Sequence, residues 1–371
     1  MALSLEIRYF AHSWVSDWNH GNAHFLRGLA RELVDAGQRV RCYEQLGAWS
    51  LSNLMRQEGE RGIRAINEFR KGFPQLDVRF YQDDETLPAL LEEELRGADI
   101  VIIHEWNSPK ITNAILSLKK RFGFRALFHD THHRAYTAPG EILRCHLHLF
   151  DGVLAFGGAI QRIYSEGFGL ERAWTFHEAA DCRNFRPLER PRDIDVLWIG
   201  NWGDEERSRE LREFLIRPAA ALECKTVVHG VRYPEPALEM LAAAGIEFRG
   251  YIPNLDGPEA YARTRISVHI PRRQYANGLS GIPTIRVFEA LACGVPLVCS
   301  PWNDSEGLFR PGEDYVVAAD GTAMENELAA LLRDDSARRQ IAASGLGTIL
   351  EKHTCRHRAR QLMEICEELG Q

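Results

Sequence analysis

The sequence predicts an α/β protein built from two Rossmann-like, doubly wound domains. Three observations carry that expectation. Strand, polar loop, helix and strand follow one another from Leu5 to Tyr43. The same order restarts at Asp195, and 371 residues are more than one hydrophobic core usually serves.

In the first half, Leu5 to Phe10 reads as a strand. A polar loop from Ala11 to Gly21 follows, then a helix over Asn22 to Ala36 that Gly37 stops, and a second strand over Arg39 to Tyr43. The charged stretch from Ser50 to Pro88 reads as a surface insertion with partial helix. ADIVIIH, Ala98 to His104, and ALFH, Ala126 to His129, are buried strands, and Phe150 to Phe156 is the next. Ligands of open α/β sheets sit beyond the carboxyl ends of the strands. His104 and His129 occupy such ends, and the loop holding His20 and Gly21 is where a ligand could approach the backbone.

The second half opens with a strand over Asp195 to Gly200, after which Asn201-Trp202-Gly203 turns into a helix rich in Arg and Glu. Thr226 to His229, Ile246 to Phe248 and Ile266 to Ile270 are further strands. The organising stretch is SGIPTIRVFEALACGVPLVCS, Ser280 to Ser300. Pro283 suits a first helical position with Ser280 or Gly281 as its cap, so a helix is expected from Pro283 to Cys293. Gly294 and Pro296 stop it before a buried strand from Val295 to Cys299. Arg286 and Glu289 share one face of that helix, near an N-terminus whose free amides favour an anion. As a surface pair they would be worth only about 0.2–0.5 kcal/mol. PGEDYVVAADG then leads through a short strand to a helix over Ala323 to Leu332.

Composition narrows the class. With 45% hydrophobic and 26% charged residues the chain can bury a sizeable core. A net charge of −7 without a long basic run argues against a dedicated nucleic-acid binder. The densest basic patch, KKRFGFR from Lys119 to Arg125, reads as a solvated helix end leading into a strand, with a site for an anionic acceptor or a membrane surface as the alternative. The eight cysteines lack both zinc-site spacing and disulfide density, so they read as reduced thiols. No opening segment reads as a signal peptide and no apolar run reaches membrane-span length, which makes the cytoplasm the default.

PTIRVFEALACGVPLV resembles the signature of the group 1 glycosyltransferases of GT-B fold, most closely their CgeB-like branch. The resemblance implies two Rossmann-like domains facing across a cleft, an acceptor-side domain over 1–187 and a nucleotide-sugar domain over 188–352. A terminal helix over 353–371 would have packing back on the first domain as one option. It implies a sugar transferred from a nucleotide-sugar donor to an unknown acceptor (glycan, lipid, protein or small molecule), with no metal and no cofactor. Glu289 takes the position of the Glu that binds ribose hydroxyls, and helix-start amides at Thr284 and Ile285 would meet the diphosphate. The family's other Glu, eight residues earlier, is Gly281 here. Arg286, then Arg207 with Asn201 nearby, are the basic candidates for the diphosphate. Gly21 stands in the family's glycine loop, and His129 in the position of a His that touches the donor sugar. His20, Asp17 or Asp130 could serve as base. FHEAADCRNFRP, ending at Pro187, resembles the family's hinge segment, with Asp181 near its Asp. A non-catalytic sugar-nucleotide binder and a nucleotide-sugar epimerase are the alternatives.

Three strings suggest metals instead. HDTHH, with His129, His132, His133 and His104 as possible ligands, matches no zincin or deaminase signature. His353 and His357, four apart on a terminal helix, are expected in solvent. Asp193-Ile194-Asp195 opens a strand instead of ending one, so it reads as linker and strand start.

Overall fold

The structure, a computed structural model, describes residues 4–370. The chain forms two compact units, one running to Glu178 and resuming at Cys355, the other Ala179–Thr354. The sequence had placed the division after Pro187 and again at His353.

The first unit is a seven-stranded sheet: β1 (Glu6–Phe10), β2 (Arg39–Gln45), β3 (Asp77–Tyr81), β4 (Ile100–His104), β5 (Arg125–His129), β6 (Gly152–Ala155) and β7 (Ala173–Thr175). The strands lie in the order β3-β2-β1-β4-β5-β6-β7, and every pairing is parallel. Parallel sheets are covered on both faces, which is why IVIIH of β4 is apolar without alternation and wholly buried. Helix α1 (Ala23–Asp35) packs against the helix Cys355–Gly370. That C-terminal helix is also tied to the strand beyond β6, since Arg358 Nε donates to His177 O at 2.9 Å and Gln361 Nε2 to Thr175 O at 2.9 Å. The stretch expected as a surface insertion supplies an edge strand. Asp77–Tyr81 pairs with β2, between the helices Trp49–Glu58 and Glu60–Gly72 on one side and Leu87–Glu94 on the other. Charged side chains on DVRFY hid it, as edge strands tolerate them.

The second unit repeats the plan with β8 (Ile194–Ile199), β9 (Thr226–His229), β10 (Glu247–Phe248), β11 (Thr264–His269), β12 (Leu297–Cys299) and β13 (Val316–Val317). Their order is β10-β9-β8-β11-β12-β13, again parallel. A core that includes Val196, Trp198, Val228, Ile266, Val268 and Val298 fills one side of the sheet. Helix α2 (Ile285–Ala292) starts two residues later than the sequence suggested. Thr284 is its cap, with extended backbone at φ −77° and ψ 163°, so Pro283 precedes the cap. Its end is the expected one: Gly294 takes φ +64°, Gly294 N donates to Leu291 O at 3.0 Å and Val295 N to Ala290 O at 3.1 Å. His353 is not in solvent. It is buried beyond the helix Asp335–Lys352, with Nε2 3.0 Å from Leu308 O. Among the described residues no helix is long and apolar enough to cross a membrane.

Candidate active site

Both sheets reverse their strand order beside the first strand, between β1 and β4 and between β8 and β11, and such switch points are where doubly wound sheets take ligands. In the first unit the loop after β1 is rigidly built. Glu44 of β2, fully buried, accepts from Trp14 N at 2.6 Å and Val15 N at 2.9 Å. Burial raises its carboxyl to about 7. Arg27 of α1 donates to Trp14 O at 2.7 Å and to Asp17 Oδ2 at 2.9 Å. Asp17, a candidate base, is thereby engaged in a buried ion pair. Gly21 lies in the turn that opens α1, after Asn19 at φ +50°.

This loop brings His12 and His20 to the ends of β4 and β5. The His12 ring centroid lies 4.0 Å from that of His20 and 5.4 Å from that of His104, and His104 lies 5.6 Å from His129. His104 and His129 are register partners across β4 and β5. His104 Nε2 is 2.9 Å from Thr131 Oγ1, and His129 Nδ1 bonds the hydroxyl of Tyr9. His12 Nδ1, both ring nitrogens of His20 and His129 Nε2 are enclosed with no hydrogen-bond partner among the described residues. Desolvation pulls His12 and His129 down to about 3, and His20 and His104 well below 6.5, with the neighbouring imidazoles adding to it. Four neutral imidazoles therefore cluster at the switch point, each able to donate once and accept once.

Asp130 turns away from them. Its carboxylate is fully buried, accepting from Tyr164 OH at 2.6 Å and His132 N at 2.9 Å. Glu105, beside it, accepts from Thr131 N at 3.0 Å. Burial raises both carboxyls, and Asp130 raises Glu105 further. The pair fixes the HDTHH turn. Among the described residues no group of three His, Cys, Asp or Glu is placed to hold a metal ion.

In the second unit the switch point gathers Asn201, Arg207, His269, Thr284 and Arg286. Arg207 donates to Asn201 O at 2.9 Å, Ile270 O at 3.2 Å and Asn201 Oδ1, and lies 5.1 Å over the Trp198 ring. Every one of these partners is neutral. Its Nε is enclosed and unpartnered, and burial, reinforced by Arg286, lowers its pKa to about 10. His269, at the end of β11, bonds Thr284 Oγ1 at 2.9 Å. Desolvation and the two guanidinium groups hold it at about 3. Thr284 and Ile285 open α2, whose first amides face this cluster of positive charge. Glu289 is fully buried, and its carboxylate accepts from Arg286 and, at 3.2 Å, from Tyr261 OH. Gly281 has φ +88°, and a Cβ there would meet Ser305 Oγ at 2.7 Å and Glu306 Oε1 at 2.9 Å. A side chain at that position would be strained by the positive φ and would have to displace Ser305 and Glu306. Asp193 is a strand-start residue, its carboxylate accepting from Arg263 Nε at 2.8 Å.

His12, Tyr261 and His269 were not among the residues expected here. His12 and His269 carry the signal that marked His104 and His129, a polar residue at or just past the end of an apolar strand. Nothing local marks Tyr261, since its link to Glu289 spans 28 residues.

Residues 207–364 match the model of a family described as glycosyl transferase-like. No curated protein matches the chain in sequence. HepE of Anabaena, solved with UDP and glucose, superposes with a TM-score of 0.68 at 14% identity over 98% of this chain and 99% of its own. Sucrose-phosphate synthase of Thermosynechococcus elongatus gives 0.65 at 14% identity over 98% and 99%. An alpha-glucosyltransferase in complex with UDP and a 13-mer DNA containing a HMU base gives 0.67 at 12% identity over 98% and 100%. The chain thus has the GT-B fold of these structures, and its residues 207–364 are similar in sequence to the glycosyl transferase-like family.

Proposed function

We propose that this protein transfers a sugar from a UDP-linked donor to an acceptor hydroxyl without a metal ion. The observation that carries the reading is Arg207, a guanidinium at the switch point of the second sheet held only by neutral partners and beside a second cation, Arg286. Its hydrogen bonds go to neutral groups while burial and Arg286 outweigh the support of the Glu210 carboxylate, and a diphosphate would supply a directly bonded counter-ion. UDP is favoured as carrier because HepE and the alpha-glucosyltransferase were both solved with it.

In the proposed reaction the acceptor oxygen bonds to the sugar's anomeric carbon as the bond from that carbon to the diphosphate oxygen breaks. The diphosphate leaves as an anion, met by Arg207, Arg286 and the amides of Thr284 and Ile285. Glu289 orients Arg286 and offers its remaining acceptor capacity to ribose hydroxyls, while Asn201 positions Arg207. Among the first unit's own residues, a neutral imidazole is suited to take the acceptor proton. His20 is our choice, since neither ring nitrogen has a partner among the described residues, and His129 is our choice to read the sugar through Nε2. Gly21 leaves the turn beside His20 open. Asp130 is a positioning residue for the turn that carries His132. The test is UDP release from UDP-glucose and related donors, measured with EDTA present. Release that requires an acceptor and survives EDTA is expected. Activity recovered only with manganese or magnesium overturns the metal-free reading, UDP binding without turnover makes the protein a binder, and donor interconversion without release makes it an epimerase.

A further inference from the structure

We infer that the acceptor is itself a carbohydrate, seated on the indole of Trp106 with its hydroxyls read by His12 and His20. The inference rests on the transfer reading above and names the class of its acceptor. Trp106 follows β4 and is 43% exposed, an unusual place for the largest apolar side chain. Its exposure is held, not loose. The Arg134 guanidinium lies 4.4 Å from the ring centroid, and the His132 ring meets it edge-on at 5.2 Å. Arg134 is in turn fixed by Glu105 O at 3.0 Å and Glu141 at 2.8 Å. A rigid exposed aromatic loses little entropy when something stacks on it.

Next to the indole stands the histidine cluster. The His12 centroid is 6.1 Å from Trp106, and His20 is 4.0 Å beyond. His20 is 6% exposed, yet neither of its nitrogens has a partner among the described residues, and His12 Nδ1 has none. Buried polar atoms left so cost about 1–3 kcal/mol each. Something in the working protein completes them. A sugar presents an apolar C–H face to an aromatic ring and a ring of hydroxyls that both donate and accept, which suits an indole flanked by neutral imidazoles. A lipid tail would need a contiguous apolar face, and the Trp106 surroundings are His132, Arg134 and His12. An anionic acceptor would meet neutral imidazoles here, and the guanidinium at the indole, Arg134, is already engaged by Glu105 O and the Glu141 carboxylate.

The test pairs turnover with binding. Wild type, Trp106→Ala and Trp106→Tyr are assayed for UDP release with UDP-glucose against methyl glycosides, disaccharides, a polyprenyl phosphate and a Ser/Thr peptide. Saccharide binding without UDP is followed by tryptophan fluorescence. Saccharides are expected to accelerate release, with acceptor KM at least tenfold higher in Trp106→Ala and largely restored in Trp106→Tyr. Acceleration by the polyprenyl phosphate or the peptide alone overturns the inference, and so does a KM unmoved in Trp106→Ala. If no donor turns over but saccharide binding depends on Trp106, the transfer reading falls and the carbohydrate site stands. Absence of both turnover and saccharide binding removes both.

Discussion

Replacing Arg207 by Met removes a charge and little volume, and the structure sets opposing terms for the outcome. A depression from the ordinary 12.5 to about 10 means that burial and Arg286 penalise the charged guanidinium by about 3 kcal/mol. Met relieves that penalty. It also removes the hydrogen bonds to Ile270 O, Asn201 O and Asn201 Oδ1, worth about 1 kcal/mol each net. The two terms nearly cancel, so Arg207→Met should unfold in urea within about 2 kcal/mol of wild type. UDP tells a different story. Charge-assisted hydrogen bonds to a diphosphate are worth about 1.5–3 kcal/mol, and their loss weakens UDP binding by about ten- to a hundredfold. Uridine, without phosphates, should bind both proteins alike. Isothermal titration calorimetry with UDP and uridine separates the cases. UDP affinity retained within about threefold, or uridine lost in parallel with UDP, refutes the assignment of Arg207 to the diphosphate.

Glu289→Gln should weaken UDP binding about tenfold or more and also lower ligand-free stability by about 1–3 kcal/mol, because the buried carboxylate already serves Arg286 and Tyr261; calorimetry and urea unfolding read the two effects. Unchanged UDP affinity would take Glu289 out of the site. His12, depressed to about 3 in the fold against about 6.5 unfolded, contributes stability that is present above pH 6.5 and lost as pH falls. From pH 7 to 5.5 the wild type should therefore lose about 1.2 kcal/mol more than His12→Gln, and parallel urea midpoints across that range would contradict the neutral, desolvated ring. Asp130→Asn should lower the melting temperature, since one amide oxygen cannot replace two acceptors, while kcat stays within about tenfold. A thousandfold loss of kcat at wild-type melting temperature would instead make Asp130 the base.

How far the sequence could be read depended on how local the determining physics was. Thr226 to His229 is a strand between the same two residues in sequence and structure, because an apolar run between polar flanks suffices. The stop at Gly294 was equally legible, as its closing hydrogen bonds lie within the six residues Ala290 to Val295. The edge strand Asp77–Tyr81 was not, since its identity comes from pairing with β2 and not from its own pattern. At the site the same division holds. Glu289 could be picked out from its spacing to Arg286 together with the family resemblance, whereas its complete burial and its bond from Tyr261 could not. Asp130 stood in the sequence as one of three possible bases. Its engagement by Tyr164 and Glu105 arises from residues more than twenty positions away in either direction.

The helix Cys355–Gly370 belongs with α1, although the whole of Ala179–Thr354 lies between them in sequence. A ribosome adding about 5–20 residues per second takes roughly 10–35 s to cross that interval. Throughout it, the nascent chain displays the side of α1 that this helix will cover. The second unit is contiguous and lacks nothing once Thr354 has emerged. Order of completion is thus reversed relative to order of synthesis, and holdase chaperones have an apolar target on the earlier-made half until the last turns of the C-terminal helix leave the exit tunnel.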